Sequence, residues 1–338
     1  TPRGFAEFVV SKMTIVGSSD DEYPIQPKKH SQDFLRTVPE LRGRTKGMQG
    51  VWKIRHHLTQ SIHRFLESEG LYLYTGSLIT DDDCEGAGQT FDVKSDWIDR
   101  KLSVSSQLYA EVGARSLGKV YTFGPCFRAE KSSTRKHLSE FYMVEPEMSW
   151  YKLEDTVSFT EKFIKSVISY VIDKSEYEFG QLEITTEHLS DILKVDWKVV
   201  TYDEVCDIFG VKWGDDISSE VEQKVVTHYK SPTFITHYPK DIKPFYMKKD
   251  DKVAYCFDLI FPEVGELVGG SERESSYDIL EKSMISSGLD MSKMQWYLDL
   301  RRWGSVPTSG FGLGFERLLM FITKSQKIHD VMPFPVSY

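Results

Sequence analysis

Arg128 and Glu130 stand two positions apart, just after the apolar run that ends at Phe127. Residues two apart on a strand face the same way, so the pair would present a guanidinium beside a carboxylate. An arginine fork suits a phosphate or a carboxylate, and a carboxylate can accept a hydrogen bond from an amine such as that of adenine. Many surface hairpins carry an Arg-x-Glu salt bridge, so the pair alone defines no site. A second pair of acids, Asp258 and Glu266, flanks an expected turn at residues 261–265. Strands paired across that turn would bring the two carboxylates together. Adjacent carboxylates repel unless a cation lies between them, and magnesium takes a couple of carboxylates plus substrate oxygens. An exposed acidic hairpin is the plain alternative. A third feature is the run Ser309-Gly310-Phe311-Gly312-Leu313-Gly314, whose glycines would let the backbone approach a ligand closely.

Positioning such groups takes ordered elements, and their patterns are visible. Residues 124–141 read as two antiparallel strands joined by a basic loop. Met48, Val51, Trp52, Leu58, Ile62, Phe65 and Leu66 make a helical stripe over residues 46–70, with Gly70 as its stop. A strand is expected over residues 71–80. Further helices are expected over 157–172 and 213–226, the latter capped by Ser218 or Ser219. Short strands should follow at 233–236, 254–260 and 266–268, and a helix should start after Gly314. Residues 5–16 read as one more strand, followed by a polar linker at 17–27. A lone strand is not a stable unit, so it either docks on the main body or belongs to a further domain.

Bulk properties narrow the class. The 338 residues provide ample material for a buried core. No run approaches the roughly 18 apolar residues that would span a bilayer. The four cysteines are too far apart for a zinc site, which fits reduced thiols and a cytoplasmic setting. A net charge of −9 argues against wholesale nucleic-acid binding and leaves only local basic clusters, at 28–30, 42–46 and 131–137.

Residues 124–141 resemble motif 2 of the class II aminoacyl-tRNA synthetases, and residues 309–320 resemble their motif 3, in the right order. The stretches 258–260 and 265–273 are similar to the aspartyl/asparaginyl subgroup. The resemblance implies an α+β fold, a mainly antiparallel sheet flanked by helices, spanning residues 46–338. It implies that residues 1–17 are the last strand of an otherwise missing OB-fold anticodon-binding domain, with 18–45 as a hinge. The helix and strand over 46–80 resemble motif 1, which implies a homodimer, although Ser77 stands where that motif usually has proline.

The chemistry implied is ATP-dependent activation of an amino acid, then transfer to the 3′ end of a tRNA. Arg128 would bridge the α-phosphate and the substrate carboxylate. Glu130 would hold the adenine amine or a magnesium-linked water network, Phe141 would lie under the ring, and Arg317 would lie above it near the γ-phosphate. Lys136, His137, Leu138, Gly314 and Glu316 would complete the ATP site, and Asp258 and Glu266 would hold Mg²⁺. For the amino acid, the resemblance implies Glu85 on the α-amino group, with Gln107, Glu111, Gly269 and Arg273 around the side chain. The aspartyl enzymes carry a lysine where this chain has Ala110. Its absence implies asparagine and tRNA(Asn), with Arg273 donating to the amide oxygen and an acid, Glu111, accepting from its NH₂. The rivals are an aspartyl enzyme, an aspartate-amidating ligase, and a regulatory paralogue that binds tRNA without catalysis.

Overall fold

The computed structural model describes residues 8–81, 90–131 and 134–337. Its strands in chain order are β1 (Tyr72–Leu73), β2 (Ile79–Thr80), β3 (Asp92–Ser95), β4 (Ile98–Leu102), β5 (Lys119–Phe127), β6 (Glu140–Ser149), β7 (Lys198–Thr201), β8 (Thr233–Thr236), β9 (Cys256–Phe261), β10 (Gly265–Glu272) and β11 (Thr308–Gly314). The helices are α1 (Gln32–Thr37), α2 (Pro39–Arg42), α3 (Lys46–Ser68), α4 (Gln107–Leu117), α5 (Leu153–Lys174), α6 (Glu176–Leu182), α7 (Glu187–Lys194), α8 (Tyr202–Phe209), α9 (Ser219–Tyr229), α10 (Tyr277–Ser286), α11 (Met291–Arg302) and α12 (Phe315–Thr323). One sheet runs β1-β5-β6-β11-β10-β9-β8-β7, and β2-β4-β3 make a small second one. Only β1 with β5 and β7 with β8 pair in parallel; the other pairs are antiparallel. The α+β architecture is the expected one. Among the described residues, no helix is long and apolar enough to cross a membrane.

Pleating assigns the two faces of the large sheet separate tasks. On β11, Phe311 points to the helical side, where its ring meets Phe159 and Phe163 of α5 at 6.3 and 6.0 Å. α3 lies beside α5 and buries Ile54, Leu58 and Ile62 completely. Gly310, Gly312 and Gly314 therefore face the opposite side, where the helices leave room.

Several expectations need correction. Residues 8–16 form no strand, and Phe8, Val9 and Val16 are more than nine-tenths exposed. The pattern alternates in part, but among the described residues it pairs with no strand. The strand expected over 71–80 is two short pieces, β1 and β2, in different sheets. Between them Gly76 packs so near α4 that a Cβ would lie 2.7 Å from Ser106 Oγ. The helix expected over 213–226 starts only at Ser219, where the Ser218 hydroxyl accepts from Val221 N. Residues before it are held as a loop by Tyr202, whose hydroxyl donates to Asp215 O at 2.6 Å and whose ring meets Trp213 edge-on. α3 ends as expected, with Gly70 at φ +80°.

Candidate active site

β5 and β6 pair as far as Phe127 opposite Glu140, and Arg128 N then donates to Ser139 O at 2.9 Å. Arg128 and Glu130 thus lie beyond the strand end, so the pleat expected to align them does not. The loop gathers them all the same. A cavity of about 270 Å³ is lined by Arg128, Glu130, Lys136, His137, Leu138 and Phe141 from the hairpin and its loop. β10 contributes Glu266 and Gly269; β11 and α12 contribute Gly314, Glu316 and Arg317. The Arg128 guanidinium lies 5.3 Å from the centroid of the Phe141 ring, and Arg317 Nη1 donates to Glu266 O at 2.5 Å.

Charge in this cavity is mainly positive on the loop side. Burial, reinforced by Arg317, holds Lys136 and His137 below their ordinary pKa values. Cations that repel one another across a cavity are the counterpart of a polyanion such as a triphosphate. The opposite wall is acidic. Asp258 faces Gly269 in the ladder, not Glu266, and a bulge between Glu266 and Val268 swings the second acid round. A Cβ on Gly269 would lie 3.2 Å from Glu266 Oε1 and 3.6 Å from Asp258 Oδ1, so both carboxylates converge above that glycine. Glu266 faces the open cavity while its carboxylate is crowded by protein atoms. Crowding first, then the charge of Asp258, raises its pKa. Burial and Glu266 likewise push the Glu222 carboxyl of α9 up to about 7. Lys243 offsets part of this charge by pairing with Asp258 at 2.7 Å. These oxygen donors with excess negative charge fit a hard divalent cation. Among the described residues no trio of His, Cys, Asp or Glu could hold a metal, so phosphate oxygens would have to complete such a site.

Further along the same face the ladder sets Ser271 opposite Gly310 and Gly310 opposite Glu147. Arg273 reaches across that glycine to Glu147 in a two-point fork, Nε to Oε1 at 3.0 Å and Nη2 to Oε2 at 2.7 Å. Its remaining Nη1 donates to Ser271 Oγ at 2.6 Å. A Cβ on Gly310 would collide with both Glu147 Oε2 and Pro146 O. The fork is the geometry of an ionised carboxylate, and Glu147 raises the pKa of Arg273 against the cost of burial.

Some expected site residues are engaged elsewhere. Glu111 is fully buried in α4, where it accepts from Tyr297 Oη at 2.5 Å and pairs with Arg301 at 2.7 Å. Gln107 sits beside it, Nε2 3.4 Å from Glu111 Oε1. Glu316 borders the cavity, but its carboxylate accepts from Tyr142 N at 2.8 Å and pairs with Arg55 of α3 at 2.7 Å. Glu85 lies outside the described residues. Sequence reading missed Glu145 and Glu147, although two acids at alternate positions of an apolar strand are a visible signal. Glu145 accepts from Ser106 N at 3.0 Å and Thr122 Oγ1 at 2.9 Å, and so fixes the start of α4. Lys243 and Glu222 give no such signal, because tertiary packing brings them in.

Residues 32–338 match the family of tRNA synthetases class II (D, K and N). The chain belongs to that family. Over 97% of its length it is 42% identical to an asparagine--tRNA ligase of Desulfotalea psychrophila, covering 79% of that protein. An asparagine--tRNA ligase of Acetivibrio thermocellus is 41% identical over 97% of this chain, again covering 79% of the relative. Among solved structures, the asparaginyl-tRNA synthetase of Pyrococcus horikoshii complexed with asparaginyl-adenylate superposes with a TM-score of 0.91 at 33% identity. It covers 96% of this chain and 77% of its own.

Proposed function

We propose that this chain activates asparagine with ATP and transfers the asparaginyl group to the 3′ end of tRNA(Asn). The reading rests on one continuous face: a cationic cavity suited to a triphosphate leads along β6, β11 and β10 to the Arg273–Glu147 pair. A carboxamide carries an acceptor oxygen and a donor NH₂, and it matches an adjacent guanidinium and carboxylate. An aspartate side chain would bring a second negative charge against Glu147. With Glu111 occupied by Arg301 and Tyr297, Glu147 takes the acceptor role in this reading.

In the first step an asparagine carboxylate oxygen attacks the α-phosphorus of ATP, and pyrophosphate leaves. In the second, a ribose hydroxyl of the tRNA attacks the carbonyl carbon of the adenylate and loses its proton, and AMP leaves. Such chemistry needs positioning and charge neutralisation more than a protein nucleophile. Arg128 would bridge the α-phosphate and the attacking carboxylate. Lys136, His137 and Arg317 would take the outer phosphates, with Glu130, Leu138, Phe141 and Gly314 around the adenosine. Asp258 and Glu266 would hold Mg²⁺, which supplies neutralising charge to the phosphates. Glu85 would bind the α-amino group and Gln107 would lie beside the substrate side chain, with Gly269 giving the substrate room.

ATP–pyrophosphate exchange tests this directly. Exchange should require asparagine, fail with aspartate, and fall at least about 100-fold in Arg128→Ala. Exchange supported by aspartate would instead favour the aspartyl or amidating alternatives. The exposed edge strand β1, with Tyr72 and Leu73 more than half exposed, supports the homodimer through α3 and β1. Sedimentation should then give twice the 39.0 kDa chain mass.

A further inference from the structure

We propose that Arg42, at the end of α2, is a positioning residue for the nucleotide site: it anchors the 328–336 segment, which holds the basic loop at Arg135 and Ser139. Arg42 has no exposed surface. Its guanidinium donates to the carbonyls of His329, Met332 and Pro333, the last at 2.9 Å. Among the described residues no carboxylate forms a salt bridge with it, and burial holds its pKa below the usual arginine value. A buried arginine spent on three carbonyls within residues 329–333 fixes the path of a chain that has little regular structure of its own. Arg36 adds a second tie, pairing with Asp330 at 2.6 Å.

The segment so fixed meets the loop twice. Ile328 N donates to Arg135 O at 2.9 Å, and Ser139 N donates to Val336 O at 2.8 Å. Ser139 O in turn accepts from Arg128 N. A single residue therefore separates the anchored segment from the arginine assigned to the α-phosphate. Ile328 also lines the cavity itself. Movement of this strap would shift Arg128, Lys136 and His137 together. Displacements of about 1 Å in such groups cost on the order of 100-fold in rate. The chain preceding the catalytic sheet thus reaches the phosphate groups through Arg42, in a way that the motif residues alone do not reveal.

The role in catalysis rests on the proposed function, so the test combines kinetics with a readout that needs no substrate. In Arg42→Met, the Arg128 and Ser139 amides should exchange with solvent about tenfold faster, and Val144 in mid-β6 should not change. In pyrophosphate exchange the KM for ATP should rise about tenfold while that for asparagine stays within about twofold. Arg42→Lys, which keeps the charge but not the fork, should fall between. If Arg42→Met does not fold, Arg36→Gln loosens the same segment and should raise the KM for ATP about threefold, with faster Ser139 exchange. Unchanged exchange at Ser139 would overturn the proposal. So would equal losses in both KM values and kcat that track the folded fraction. Absence of asparagine-dependent turnover in the parent protein would count against the function, while the amide data would still decide the strap.

Discussion

The side chain missing at position 310 is what lets Arg273 reach Glu147. Any Cβ there meets Glu147 Oε2 and the backbone oxygen of Pro146, and the backbone cannot swing aside. At Gly312 the added methyl would meet only Met143 Cε, the free end of a flexible chain. Gly310→Ala should therefore cost about 1–3 kcal/mol of stability, and Gly312→Ala less than about 1.5; urea unfolding of the two variants side by side would check the order. Gly310→Ala should also raise the KM for asparagine more than that for ATP. Glu147→Gln leaves the Arg273 charge buried without its counter-charge. The expected loss is about 3 kcal/mol of transition-state stabilisation, roughly 100-fold in kcat/KM for asparagine, with narrower discrimination against aspartate. The family resemblance signalled Arg128 and Arg317 because each stands in a continuous stretch with its own pattern. Glu147 acquires meaning only when β11 places a glycine between it and Arg273.

Elements were legible where the chain carries its own punctuation, and illegible where a neighbour decides. The stripe of α3 and its Gly70 stop lie within one segment, so the helix could be placed closely. Its entry is fixed by Thr45, whose hydroxyl accepts from Met48 N. The convergence of Asp258 and Glu266 was expected from a plain hairpin, yet it depends on a bulge that no local residue announces. The lost strand at 8–16 shows the opposite error: alternation is necessary for a strand, but pairing needs a partner edge. Glu316 belongs to this scale too. As the second residue of α12 it ties that helix to α3 through Arg55 and to β6 through Tyr142 N. Glu316→Gln should leave Arg55, which is mostly buried, without its charge partner and cost about 3 kcal/mol. The loss should register as a lower unfolding midpoint with the KM for ATP little changed. A tenfold rise in that KM at unchanged stability would instead restore Glu316 as an ATP contact.

At the scale of the whole molecule, half-buried histidines weaken stability on the acid side. His63 of α3 meets the Tyr121 hydroxyl at 2.8 Å, and His188 of α7 meets Phe321 O at 3.2 Å. Burial lowers the pKa of both from the ordinary 6.5. The unfolded chain therefore binds protons that the folded chain refuses, once pH falls to 6.5 and below. Their contribution is fully present above that point and is lost as the pH drops toward the lowered folded values. Glu147, Glu266 and Glu316, whose carboxyls burial also raises, act with the opposite sign, and so does Glu222. Its carboxyl, raised to about 7, takes up a proton on folding, so its penalty at high pH is relieved as the pH falls. The net slope is thus a difference, and single variants resolve it. Urea midpoints measured from pH 8 to 5.5 should be set against those of the parent protein. As the pH falls, they should drop less or rise more in His188→Gln, which cannot charge. Glu222→Gln should have the opposite effect, because it removes a group that compensates. A slope unaffected by His188→Gln would mean that this histidine titrates alike in both states and that burial around α7 does not weaken stability on the acid side.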